Sequence, residues 1–165
     1  SARQFQEASL ADDVAQALQD AGLEPRWLML ELTESAVLRD HETVSRTLRK
    51  LSELGVRLAI DDFGTGYSSF AYLQEFPIHS IKIAKTFVDM TRNSADHGHL
   101  MQAITMLGSL LQLQVVAEGV EEFDQIDRLA RLGCDFAQGY YFAQPLGPEH
   151  VRHLIENGWP EQVRE

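Results

Sequence analysis

A chain of 165 residues, 44% hydrophobic and 24% charged, has globular composition and length for one real core, which argues against several separate domains. A formal net charge of -11 disfavours a nucleic-acid polymer or an anionic membrane surface as partner and suits a site that concentrates cations. The single cysteine, Cys134, excludes an internal disulfide framework and, between apolar Leu132 and Phe136, reads as a buried structural residue in a reducing compartment. No apolar run approaches the roughly 20 residues of a membrane helix, and the N-terminus lacks the basic start and apolar stretch of a signal peptide. The expected location is cytoplasmic, with any membrane anchor supplied by segments upstream of this chain.

Short apolar runs alternate with amphipathic helical stretches, the habit of a parallel sheet. In chain order the patterns predict a helix over about Leu10 to Ala21 and a strand over Trp27 to Leu32. A helix over Asp40 to Leu54 and strands over Val56 to Ile60 and Ser80 to Ile83 follow. A helix over Ser94 to Leu111 leads to a strand over Gln114 to Ala117. The last elements are a helix over Glu122 to Leu132, a strand over Phe136 to Phe142 and a helix over Gly147 to Asn157, with a frayed tail at Pro160. Gly22, Gly55 and Gly133 stand where helices should end in a left-handed residue. A complete parallel barrel takes eight βα units and roughly 250 residues. The expectation is therefore an α/β fold with about five βα units, a partial (β/α)8 TIM-type barrel. The chain begins at Ser1 without an initiator methionine and reads as a piece of something longer, with the remaining strands upstream. Exposed edge strands would invite pairing with a second copy or a neighbouring chain.

In such scaffolds the chemistry sits at the carboxyl ends of the strands. Glu31 lies among apolar residues in Leu28-Met29-Leu30-Glu31-Leu32 and needs a partner, because an unpaired buried charge costs several kcal/mol. Leu58-Ala59-Ile60 ends in Asp61 and Asp62, whose side chains should point to opposite sides while the strand persists, though both can still reach the top of a barrel once it turns. Lys82 interrupts Ile81 and Ile83, so it projects to the face opposite them, and Val115-Val116-Ala117 ends in Glu118. Taken singly, Glu31, Asp61 and Glu118 are read equally well as capping or salt-bridged residues, Lys82 as half of a buried ion pair, and Gly64 to Ser69 as a turn. Together, acids at three strand tips and one lysine suggest a convergent site. Its hard oxygen donors suit Mg²⁺, Mn²⁺ or Ca²⁺, whereas zinc would favour the His or Cys these tips lack. Asp61 could bridge two ions, as two-metal phosphoryl chemistry requires, and Lys82 could hold a phosphate oxygen or activate the attacking water.

These residues resemble the EAL-type cyclic-di-GMP phosphodiesterases, a bacterial signalling family with a modified TIM barrel. The resemblance is carried by Ser1-Ala2-Arg3-Gln4-Phe5, Glu31-Leu32-Thr33-Glu34, Asp61-Asp62-Phe63-Gly64-Thr65-Gly66-Tyr67-Ser68-Ser69 and Ile81-Lys82-Ile83. It continues through Val116-Ala117-Glu118-Gly119-Val120-Glu121 and Ala137-Gln138-Gly139-Tyr140, in family order and spacing. The resemblance implies that Glu31, Asp61, Asp62 and Glu118 bind Mg²⁺ or Mn²⁺, and that Lys82 positions or activates water. It also implies support from Gln138 on the final strand, anchoring of the Asp62 to Ser69 loop by Glu34, and a stabilising role for Glu121. The implied reaction opens cyclic di-GMP to linear pGpG in a protein that works as a homodimer with covalently linked sensory or cyclase domains. Three departures stand out: the family's Glu-Ala-Leu segment is absent, so is an asparagine expected just before Ser1, and Ala84 occupies a position usually held by an acid. On that basis residues 1–165 are expected to be the C-terminal portion of an EAL domain, a poor enzyme by itself. A noncatalytic cyclic-di-GMP receptor and a dimerisation or interaction module stay open as alternatives.

Overall fold

The computed structural model describes residues 2–7, 9–39, 41–65, 71–90 and 95–158. Ser1, Asp40, Gly66 to Ser69, Ser94 and Pro160, which figure in the sequence patterns above, lie outside the described residues.

Five strands, β1 (Met29–Thr33), β2 (Arg57–Phe63), β3 (Ser80–Ile83), β4 (Gln114–Glu118) and β5 (Phe136–Gln138), form one sheet in sequential order. Every neighbouring pair is parallel, as strands joined by helical crossovers must be. The longer helices between and beside them are α2 (Leu10–Ala21), α4 (His41–Glu53), α7 (Ala95–Leu110), α8 (Phe123–Arg131) and α9 (Pro148–Asn157). The expected five-unit α/β architecture of a partial barrel is thus present, and no helix among the described residues is long and apolar enough to cross a membrane.

Side chains alternate across each strand, which separates the sheet into two unlike faces. One face carries Leu58, Ile60, Ile81, Ile83, Val115 and Ala117, all buried. Against it pack Val44, Leu48 and Leu51 of α4, Met101 and Ile104 of α7, and Leu129 of α8, forming the core. The other face carries Glu31, Arg57, Ser80, Lys82, Gln114 and Gln138 and borders an open cavity of about 1020 Å³. Gly22, Gly55 and Gly133 follow α2, α4 and α8 with φ of 61°, 91° and 85°, the left-handed geometry expected of helix ends.

Several boundaries differ from the sequence patterns. The first strand begins at Met29 rather than Trp27, because Pro25 pre-sets φ for a short 3-10 turn over Pro25–Trp27 that leaves Trp27 exposed under the Arg26 guanidinium. The last strand stops at Gln138 rather than Phe142, since the Phe142 N–H turns back to the Gly139 carbonyl. Four short helices, α1 (Ala2–Phe5), α3 (Glu34–Arg39), α5 (Ala71–Glu75) and α6 (Lys85–Met90), have too few turns to show periodicity.

Candidate active site

The local geometry of β2 resolves how two adjacent aspartates serve one site. In an undistorted strand Asp61 and Asp62 would face opposite sides. Here the pairing with β3 shifts register between Ile60 and Phe63, and Asp62 adopts φ of 53°, a left-handed conformation that aspartate tolerates better than most residues. The Asp62 N–H then donates to Asp61 Oδ1 at 3.0 Å. Carboxylate oxygens of Asp61, Asp62 and Glu118 all come within 4.8 Å of one another.

Lys82 lies beneath this group, almost fully buried. Its Nζ donates to Glu31 Oε2 at 2.6 Å, pairs with Glu118 Oε1 at 2.6 Å and lies 3.7 Å from Asp61 Oδ1. Glu31 thus has a partner, but not for the reason its apolar neighbours in sequence suggest: alternation along β1 turns its side chain to the cavity face, where it is exposed rather than buried. It stands outside the three-carboxylate group and joins it through the lysine. Burial pulls the Lys82 pKa down, but the hydrogen bonds it donates to Glu118 and Glu31 and the charges of Glu118 and Asp61 outweigh it, so the ammonium is held above its usual range. Glu118 does not shift as a simple ion-pair partner would. Burial and the neighbouring Asp61 push its carboxyl up further than Lys82 pulls it down, which follows from its sharing one cation with other acids.

Glu34, fully buried at the start of α3, accepts the Gly64 N–H at 2.9 Å, and Thr65 Oγ1 donates to the Asp62 carbonyl at 2.8 Å. The first bond fastens the start of the Asp62 to Ser69 segment to α3, and the second closes the turn within it. Glu121 is engaged elsewhere: its carboxylate pairs with Lys85, and its N–H donates to the side-chain oxygen of buried Gln125 at 2.8 Å. Gln138 stands opposite Glu118 in the β4–β5 register and is exposed, on the wall of the cavity that exposed Glu31 and buried Lys82 also line. Cys134 is partly buried, and burial together with Asp135 pushes its thiol pKa up to about 11, consistent with an unreactive structural residue.

Lys85 and Gln125 escaped sequence reasoning. Gln125 was findable, since Glu122 followed three residues later by Gln125 is a capping-box spacing, and both reciprocal bonds are formed. Lys85 has no such signature, because its pairing with Glu121 joins the first turn of α6 to the loop after β4, far apart in sequence.

The carboxylate group offers only hard oxygen donors at mutual distances one divalent cation can span, so its chemistry fits Mg²⁺, Mn²⁺ or Ca²⁺.

Residues 1–145 match the model of the EAL domain. This chain belongs to the EAL domain family. It is 42% identical over 155 residues to the signaling protein YkoW of Bacillus subtilis, covering 94% of this chain and 19% of that protein. It is 43% identical over 151 residues to MucR of Pseudomonas aeruginosa, a bifunctional diguanylate cyclase/cyclic di-GMP phosphodiesterase, covering 92% of this chain and 22% of that protein. The solved MucR phosphodiesterase in complex with c-di-GMP superposes with a TM-score of 0.87 at 43% identity, covering 92% of this chain and 61% of that one. Klebsiella pneumoniae BlrP1, solved as a manganese/cy-diGMP complex, superposes with a TM-score of 0.80 at 30% identity over 86% of this chain and 36% of that one. The chain spans about a fifth of the length of the curated relatives it matches.

Proposed function

We propose that this EAL chain takes part in metal-dependent hydrolysis of cyclic di-GMP to linear pGpG, with Mg²⁺ or Mn²⁺ held by Asp61, Asp62 and Glu118 and with Glu31 as a further donor. The observation that carries the reading is the convergence of Glu31, Asp61 and Glu118, from three strands, around one buried, charged lysine, with Asp62 completing a three-carboxylate group beside it. Bound there, the metal would supply Lewis-acid polarisation of a phosphate oxygen and of the attacking water. Because Lys82 is held protonated, it serves as a fixed positive charge for a phosphate oxygen or the incoming water rather than as a base. Glu118, whose raised pKa makes it the better proton acceptor, receives the proton the water loses. Oxygen of the water bonds to phosphorus as the O3′–P bond breaks, the departing O3′ takes up a proton from solvent, and Glu118 returns the proton it received to solvent. Gln138 supports the substrate from β5, Glu34 keeps the Asp62 loop in place, and Glu121 steadies the loop after β4.

In this reading residues 1–165 form the C-terminal portion of an EAL domain whose remaining strands lie elsewhere in a longer cytoplasmic protein bearing sensory or cyclase domains. The relatives' much greater length supports that reading. A homodimer is part of the proposal, supported by the exposed apolar side chains of Leu100, Met106 and Leu110 along α7. The decisive assay is chromatographic separation of pGpG from cyclic di-GMP after incubation of the protein containing this chain with Mg²⁺ or Mn²⁺. No conversion, while the nucleotide still binds, would transfer the assignment to a noncatalytic receptor.

A second reading, that receptor, is favoured by Ala84. It follows directly on β3, buried and apolar, where the family resemblance implies an acid. Ala84→Asp separates the two: a large gain in turnover would mean that the alanine limits chemistry, and unchanged turnover would favour the receptor.

A further inference from the structure

The lower end of the sheet contains a repeated device. Where the later strand of a neighbouring pair starts, the earlier strand has a backbone N–H pointing across the seam with no strand carbonyl to receive it. At Val115 of β4 the gap is filled by Asp135, the residue before β5: the Val115 N–H donates to Asp135 Oδ2 at 2.8 Å, and the Asp135 N–H returns to the Val115 carbonyl at 3.0 Å. At Leu58 of β2 the same position before β3 is held by His79. The Leu58 N–H donates to His79 Nδ1 at 3.1 Å, and the His79 N–H returns to the Leu58 carbonyl at 2.9 Å. Leu58 and Val115 are essentially inaccessible to solvent, so neither N–H can turn to water if its acceptor is lost.

The two acceptors differ in one respect. A carboxylate keeps accepting down to acid pH, whereas Nδ1 accepts only while the imidazole is neutral. Protonation would set a donor against a donor and put a second positive charge beside Arg57 of β2. Among the described residues Arg57 is the charged group that bears on the ring, and across the other edge the neighbour on β4, which gives its N–H to the His79 carbonyl, is uncharged Gln114. The β2–β3 seam has little to fall back on. Above the latch only Ala59↔Ser80 and Ile60↔Ile81 pair in sequence before the register shifts ahead of Phe63↔Ile83. This seam joins Asp61 to Lys82.

We propose that His79 is a proton-sensitive latch on the β2–β3 seam, closed when its imidazole is neutral and released in acid, so that the alignment of Asp61 with Lys82 loosens as pH falls. Burial and Arg57 both lower the pKa of His79 below 6.5. The latch therefore contributes its full stability above pH 6.5 and loses it as pH falls from there through the folded-state value.

The test compares two amides in one molecule. Hydrogen exchange followed by NMR, corrected for intrinsic rates, should show protection at Leu58 falling about tenfold or more between pH 7.5 and pH 5 relative to Val115, since a tenfold change answers to only ~1.4 kcal/mol. Replacing His79→Asp installs the acceptor already used at Val115 and should remove the loss; His79→Asn, a non-titrating acceptor, serves if the aspartate does not fold. Equal protection at Leu58 at both pH values, or a loss that survives both substitutions, would overturn the latch. None of these readouts needs metal, nucleotide or turnover, so the proposal stands or falls apart from the catalytic reading.

Discussion

The two faces of one sheet, built from alternate residues of the same strands, are governed by opposite rules. On the helix-covered face Leu58, Ile60, Ile81, Ile83, Val115 and Ala117 are buried and make no polar demands, so their contribution is set by burial and packing. On the cavity face Glu31, Asp61, Lys82 and Glu118 hold several like charges around one ammonium, an arrangement that gains little stability and is ready for a divalent cation. The contrast teaches that this fold is stabilised by one face and equipped by the other, and it predicts that damage to the two faces can be separated.

The largest effect should come from Asp61→Asn. Removing the charge shared by the carboxylate group and Lys82 should lower cyclic-di-GMP turnover by on the order of 10² to 10⁴-fold while the urea midpoint stays close to wild type. Parallel collapse of stability would break the separation of faces. The mirror experiment is Ile81→Ala, which should destabilise the fold by about 2–5 kcal/mol in urea titrations yet leave Mn²⁺ affinity of the folded fraction unchanged. Between the faces lies Glu34. Glu34→Ala removes the acceptor of the Gly64 N–H and should cost about 1–3 kcal/mol, with a weaker metal site as well, because the same bond fastens the segment after Asp62.

Acid should sharpen the contrast further. The Glu118 pKa is raised above its ordinary value of 4.5, so as pH falls toward 4.5 the folded protein takes up a proton before the unfolded chain does. This residue's contribution to stability therefore rises with acid, while Mn²⁺ affinity measured by calorimetry falls, because proton and metal compete for one carboxylate. A metal affinity flat from pH 7.5 to pH 5 would remove Glu118 from the ligand set. The smallest effect belongs to neither face. Arg131→Ala breaks an exposed i,i+4 pair with Asp127 on α8 and should change stability by less than ~0.5 kcal/mol, a baseline for the rest.

The strand-end acids were legible because each follows an apolar run, and such a run announces both a buried strand and where it stops. The glycines after α2, α4 and α8 were legible for a similarly local reason, since few other residues adopt φ near 61° to 91° without strain. The ends of β1 and β5 were less so: a proline turn shortened one and the close return of Phe142 to Gly139 the other, and neither is visible in hydrophobic pattern alone. His79 carried no signal in the sequence. A histidine before an apolar run means nothing until the strand beside it proves to have an N–H without a carbonyl to meet it.

By itself the sequence determined the order of βα units, the apolar face of each strand and the set of acids and lysine at the tips, because all three depend on periodicity and short-range chemistry. Only the tertiary structure decided that Asp61 and Asp62 converge, through a register shift against β3 and a left-handed Asp62. It also decided that Lys82, rather than any sequence neighbour, is the partner of Glu31 and Glu118, 51 residues before it and on the strand after it. Those are distances between strands, and they exist only once the sheet has brought the strands side by side.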